Sequence, residues 1–171
     1  GQLQVITRAQ SGTWWESCAL FPGTLLRLLP AGERDSAMGL KIGISGVGQF
    51  SPSFIPIFQA HPAVEEVVLA DVVPERRVQF ARRFGIKRMF ASHDELCHSD
   101  VDAICIFTQR WMHAQQAIQA LRAGKHVYSA VPAAIALDEM GELVETVKQT
   151  GLTYMVGETS YYYPVTIFCR Q

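Results

Sequence analysis

Leu40-Lys-Ile-Gly-Ile-Ser-Gly46-Val-Gly48-Gln-Phe-Ser51 decides how this chain is read. An apolar strand, Leu40 to Ser45, runs directly into a glycine turn, and a helical pattern follows in which Phe54, Ile57 and Phe58 share a face. Gly46 allows the chain to turn tightly. Gly48, lacking a side chain, leaves room for a pyrophosphate to approach the amides at the start of the helix, where the helix dipole favours negative charge. Val47, Gln49 and Phe50 complete the loop that would touch a dinucleotide. Ser51 replaces the third glycine of the G-x-G-x-x-G spacing and is still small enough for close packing of helix on strand. Pro56 is expected to kink the helix, because it removes a backbone donor and crowds the preceding turn. His61-Pro62 ends it.

Strand and helix signals alternate outward from this turn, as a parallel sheet with crossover helices requires. Val64 to Asp71 contains Val67-Val-Leu-Ala70, a continuous apolar run suited to a strand covered on both faces. Pro74 opens a helix carrying Val78, Ala81 and Phe84, and Gly85 is placed to cap it. Arg88-Met-Phe90 is a short strand. Ser92-His-Asp-Glu95 has the spacing of a capping box. Ala103-Ile-Cys-Ile-Phe107 is the most apolar strand and belongs at the centre. Ala114, Ala117, Ile118 and Leu121 then recur at helical spacing, closed by Gly124. His126 to Ser129 is the fifth strand, Leu137, Met140, Val144 and Val147 mark the next helix, Gly151 caps it, and Thr153 to Val156 is the sixth strand. The expected fold is α/β, a doubly wound parallel sheet of Rossmann type.

Asp71 ends the second strand at nearly the distance from the glycine turn expected for the acid that binds the adenosine ribose. Its carboxylate would accept hydrogen bonds from the ribose hydroxyls and repel a 2'-phosphate, which favours NAD as cofactor over NADP. The alternative is an aspartate that caps the turn at Val72-Val-Pro74. Arg76 and Arg77 lie close enough to soften the preference, so NADP stays possible.

Composition narrows the partners. Charged residues make up 18% of the 171 residues and the formal net charge is -1, so no basic field exists to attract nucleic acid or an anionic membrane. No apolar run is long enough for a membrane-spanning helix. The four cysteines show no metal-binding spacing, and Cys105 reads as a small core residue, usage that fits a cytoplasmic setting. Residues 1–37 lack sustained periodicity, and Met38 looks like a native start, so they are expected to be a non-native or disordered extension. The dinucleotide domain is then expected over 38–160.

Together with the glycine turn, Asp100-Val-Asp-Ala-Ile-Cys-Ile-Phe-Thr108, His113, Ala120-Leu-Arg-Ala-Gly-Lys-His-Val127, Gly151-Leu-Thr-Tyr-Met-Val-Gly157 and Tyr161-Tyr-Tyr-Pro164 resemble the glucose-fructose oxidoreductase, inositol dehydrogenase and rhizopine catabolism (Gfo/Idh/MocA) oxidoreductases. The resemblance implies a cofactor domain followed by a larger substrate domain. On that reading 161–171 is the start of a truncated second domain. The implied activity is hydride transfer to or from a carbohydrate-like small molecule, a sugar or polyol, by a full-length protein that forms homo-oligomers.

It also implies that Thr108 and Gln109 line the cofactor near its nicotinamide. His113 matches a family histidine, which is either a ligand contact or a capping or surface residue. The departures concern proton transfer. The family has Glu-Lys-Pro after the fifth strand, whereas this chain has Ala130-Val-Pro132, and Val131 has no proton to give. Tyr161 stands where the family often has arginine. Glu158, at the carboxyl edge of the sheet, and the hydroxyl of Tyr161 are the remaining candidates for that role, with His113. Two readings stay open: a divergent enzyme with its proton-transfer group elsewhere, or a non-catalytic NAD-binding sensor or interaction module.

Overall fold

The computed structural model describes residues 39–170, so the expectation for 1–37 lies outside the described residues. Six strands form one sheet: β1 (Leu40–Ser45), β2 (Val64–Ala70), β3 (Met89–Phe90), β4 (Ala103–Ile106), β5 (His126–Ala130) and β6 (Tyr154–Gly157). Their order is β3-β2-β1-β4-β5-β6, with every neighbouring pair parallel. The chain builds leftward from β1 to β3, then returns to place β4 on the other side of β1. That reversal makes the junction of β1 and β4 the point where a crevice opens at the carboxyl edge.

The apolar runs are continuous because the sheet is covered on both faces. Val68, Ala70, Ile104, Ile106 and Val127 point to one face, where they pack with Leu96, Ala117, Leu121 and Leu143 from α3 (His93–Cys97), α4 (His113–Arg122) and α5 (Leu137–Thr150). Ile42, Ile44, Val67, Leu69 and Cys105 point to the other, against Ile55, Phe58 and Ala81 from α1 (Ile55–Ala60) and α2 (Pro74–Phe84). Cys105 is a core residue, as its run of apolar neighbours implies, and burial pushes its thiol pKa far up.

Two local expectations change. Pro56 does not kink a helix. A 3-10 turn, Ser51–Ser53, follows the glycine loop and α1 starts only at Ile55, which puts Pro56 in its first turn, where a backbone donor is not needed. In α5 the buried side chains are Leu143 and Thr146, whereas Leu137 is 90% exposed because the first turn of the helix projects beyond the core. The final helix, α6 (Pro164–Cys169), buries none of its residues. Among the described residues, no helix is long and apolar enough to cross a membrane.

Candidate functional site

The glycine turn is tethered to both neighbouring strands. Gly46 N–H donates to the Ala70 carbonyl at 2.8 Å, and the Ser45 carbonyl accepts from Phe107 N–H at 2.8 Å. Gly46 has φ +87°, and a Cβ there would lie 2.8 Å from Thr108 Cγ2 and 2.9 Å from its backbone nitrogen. Conformation and space both require glycine. At Gly48 the requirement differs, because a Cβ would have no heavy atom within 4 Å and would simply project into open space beside the turn. Ser51 is fully buried and its hydroxyl donates to the Gly48 carbonyl at 3.3 Å.

The other loop residues divide by exposure. Val47 is buried, and its N–H is already taken by Asp71. Gln49 is exposed. Phe50 is half-exposed and rests on Phe54 and Phe107, with ring centroids 4.9 and 5.6 Å away. Phe107 in turn packs against Tyr128 of β5, so an aromatic cluster supports the turn from beneath.

Asp71 is drawn inward. Its Oδ2 accepts from Val47 N–H at 2.9 Å and its Oδ1 from Val73 N–H at 2.8 Å. It therefore does cap the turn that follows β2, and it also ties that turn to the glycine loop. Arg77 donates to its backbone carbonyl at 2.6 Å, and an Arg76 guanidinium nitrogen stands 3.6 Å from Oδ2.

On the other side of the crevice, the loop after β4 carries Thr108, whose hydroxyl donates to Gln116 Oε1, and the exposed Gln109. His113 is 2% exposed. Its Nδ1 lies 2.8 Å from the Pro132 carbonyl and its Nε2 3.1 Å from the Thr108 carbonyl. Both nitrogens thus face backbone acceptors, and the ring braces the loops after β4 and β5 instead of presenting a free edge.

The proton-transfer candidates are similarly engaged. Glu158 caps the turn Thr159–Tyr162: its Oε1 accepts from Ser160 N–H at 2.8 Å and from the Ser160 hydroxyl. Those bonds hold the carboxyl below its usual pKa, and so in its ionised form. Tyr161 is half-buried under the Arg170 guanidinium, 3.7 Å above its ring. Val131 is 44% exposed at the same edge.

One buried neighbour of the candidate site escapes the sequence reading. His93 is buried, with Nδ1 2.8 Å from Ser45 Oγ and Nε2 3.0 Å from the Gln116 carbonyl. Since a carbonyl can only accept, Nε2 carries the proton and the Ser45 hydroxyl donates to Nδ1. Burial lowers the pKa of this ring and keeps it neutral. The chain Ser45, His93, Gln116, Thr108 links the ends of β1 and β4 from below. A signal exists in Gly43, where a Cβ would collide with Leu96 at 2.8 Å: α3 crosses closely over β1, which brings its first residue to the end of that strand.

Two concavities accompany these residues. A cleft of about 320 Å³ lies between Val72, His93, Met112 and Gln116, next to Asp71. A larger groove of about 520 Å³ is lined by Lys41, Val64, Glu66 and Lys87 at the amino edge, away from the glycine turn, so size alone does not locate the site. Among the described residues, no cluster of His, Cys, Asp and Glu could hold a metal ion.

The family model described as oxidoreductase family, NAD-binding Rossmann fold, matches residues 40–158. A 4-carboxy-2-hydroxymuconate-6-semialdehyde dehydrogenase from a Sphingobium species is 31% identical over 73% of this chain and 40% of its own. A glycosyl hydrolase family 109 protein from Bacteroides fragilis is 34% identical over 71% of this chain and 30% of its own. Among solved structures, scyllo-inositol dehydrogenase from Lactobacillus casei with bound NAD(H) and scyllo-inositol superposes with a TM-score of 0.71 at 25% identity, covering 78% of this chain and 40% of that one. The chain thus spans about 40% of the length of the dehydrogenases it matches.

Proposed function

As this chain belongs to the Gfo/Idh/MocA oxidoreductase family with its NAD-binding Rossmann fold, we propose that it is the cofactor-holding part of a nicotinamide-dependent oxidoreductase acting on a sugar or polyol. The observation that carries the reading is the open space at Gly48 in a turn held between β1, β2 and β4. Those are the features a pyrophosphate needs: main chain that a phosphate can approach, at the switch point of the sheet. Gly46, Gly48, Gln49 and Phe50 would hold the pyrophosphate, with Val47 as the buried anchor of the turn. Asp71 would lie at the adenosine ribose, and Thr108 and Gln109 beside the nicotinamide. When bound, that ring supplies a carbon able to accept or donate hydride. His113 positions the two loops around it. Relatives whose names specify inositol and semialdehyde dehydrogenation support a small carbonyl or carbinol substrate.

A second reading, nucleotide binding without turnover, is favoured by Val131 at the family's lysine position, since Glu158 and Tyr161 are already occupied by Ser160 and Arg170. Titration with NADH, followed by nicotinamide fluorescence, tests what the two share. Saturable binding that Gly48→Trp weakens by at least about tenfold is expected, because the indole fills the space a phosphate would use. Absence of NADH binding to the folded chain would overturn both. Reduction of NAD in the presence of a sugar or polyol, assayed on the protein that carries the substrate-binding part as well, then separates enzyme from sensor.

A further inference from the structure

The two walls of the crevice are joined beneath it by buried side chains. Ser45 is the last residue of β1, immediately before Gly46, and Thr108 stands in the loop after β4, where it backs Gly46. Ser45 is 1% exposed, and its hydroxyl donates to His93 Nδ1 at 2.8 Å. His93 Nε2 donates to the Gln116 carbonyl at 3.0 Å, and the same glutamine's Oε1 accepts from the Thr108 hydroxyl. One ring therefore ties the residue that precedes the glycine turn to the residue that backs it. His93 and Gln116 also line the cleft of about 320 Å³ beside Asp71, so the joint borders the space a nucleotide would enter.

This joint is complete in one protonation state. With Nε2–H given to a carbonyl, neutral His93 leaves Nδ1 to accept from Ser45, and each of these groups has a partner. A second proton would make Nδ1 a donor. The Ser45 hydroxyl would then have to accept, and its own hydrogen would be left to find an acceptor in a buried place. Among the elements packed on α3, β1 and α4 face the ring with Ser45 and Gln116, both uncharged, while β2 and β3 end in the apolar Ala70 and Phe90. Asp71, just after β2, has both carboxylate oxygens on the N–H groups of Val47 and Val73, and Glu95 of α3 reaches back to Ala91 N–H. Burial acts most strongly on the ring, against a second proton, whereas the Gln116 carbonyl and the Asp94 carboxylate favour one.

We infer that neutral His93 is a positioning residue for the dinucleotide: acting through Ser45 on one side and through Gln116 and Thr108 on the other, it holds the glycine turn and the loop after β4 at one spacing. Protonation of the ring loosens that hold and weakens nucleotide binding. The inference rests on the nucleotide-binding reading above and adds a proton-linked control to it.

Calorimetric titration with NAD, which unlike NADH is stable in acid, provides the test. The wild type is expected to bind about threefold or more weakly at about pH 5 than at about pH 7.5, and to release protons on binding at the lower pH, because the nucleotide selects the neutral ring. His93→Asn and His93→Gln carry no titrating ring and should lose most of that dependence. They differ at neutral pH. The asparagine amide stands near the place of Nδ1 and can still accept from Ser45, whereas the glutamine amide reaches the place of Nε2 and leaves the Ser45 hydroxyl without its acceptor. His93→Gln should therefore bind more weakly than His93→Asn, by up to about fivefold, the worth of one hydrogen bond. In Ser45→Ala a protonated ring meets no hydroxyl, so the pH response should shrink there too, and this variant decides alone if the His93 variants do not fold. Equal wild-type affinity at the two pH values, or a pH response undiminished in the variants, overturns the inference while leaving the site reading intact. Absence of NAD binding at either pH by protein with a native circular dichroism spectrum overturns both.

Discussion

Two buried histidines stand at the carboxyl edge of the sheet, and their partners separate their roles. His113 faces two carbonyls, and a neutral ring has one N–H to share between them. His93 has a carbonyl on one nitrogen and a hydroxyl on the other, so the neutral ring satisfies every group. Its pKa is lowered from the ordinary 6.5, chiefly by burial. The unfolded chain therefore binds a proton that the native state refuses. The stability this contributes is present above pH 6.5 and is lost as pH falls below it. Urea unfolding at about pH 7.5 and about pH 5 should show a decline in the midpoint that His93→Asn makes shallower. Some slope should remain, since burial lowers His126 in the same direction. A slope unchanged by the substitution would show that the proton uptake occurs elsewhere. At this scale the sequence pointed to His113 through its family motif but passed over His93, because the capping box around it already had a sufficient explanation. Side chains that meet only in three dimensions, such as Ser45 and His93, leave no spacing to read.

The capping box itself is confirmed with a shift. Ser92 Oγ accepts from Glu95 N–H at 3.1 Å, while Glu95 reaches back to Ala91 N–H at 2.8 Å, one residue earlier than the usual partner. Because α3 is short, its first turn is most of the helix. Ser92→Ala should destabilise the protein by about 1 kcal/mol, measured by chemical denaturation, whereas Glu95→Ala should cost less. An undiminished midpoint in Ser92→Ala would mean that the burial of Leu96 alone holds α3. Strands and glycine caps were legible because each rests on local chemistry: Gly85 and Gly151 both take the left-handed conformation after their helices. The start of α1 was less so. Pro52 and Pro56 each suit a first turn, and spacing alone does not say which one opens the α-helix. The stripe expected on α5 holds only in its second half, where Val147 packs on the core, while Leu137 and Met140 are exposed, because a helical period fixes a buried stripe only where the helix touches the core.

For the whole molecule, apolar strands covered on two faces concentrate stability at the centre. Ile104 is fully buried in β4, between β1 and β5. Ile104→Ala should cost about 2–5 kcal/mol, the range for deleting a large buried aliphatic side chain. Amide exchange should be slowest in β1 and β4, and fastest in α6, which buries nothing. Rapid exchange across β4 would contradict a core centred there.

The seat of Gly46 is made by Thr108, and the partner of Ile42 in β4 is Ala103, both far along the chain. During synthesis β1, β2 and β3 leave the ribosome with one flank of β1 bare and the turn lacking its second wall. Nothing before β4 can complete it. The glycine turn, although among the first described segments to be translated, is among the later ones to become structured. Until then the nascent half-sheet exposes an unpaired apolar strand, and that interval is when the chain is most vulnerable to mispairing with another copy of itself.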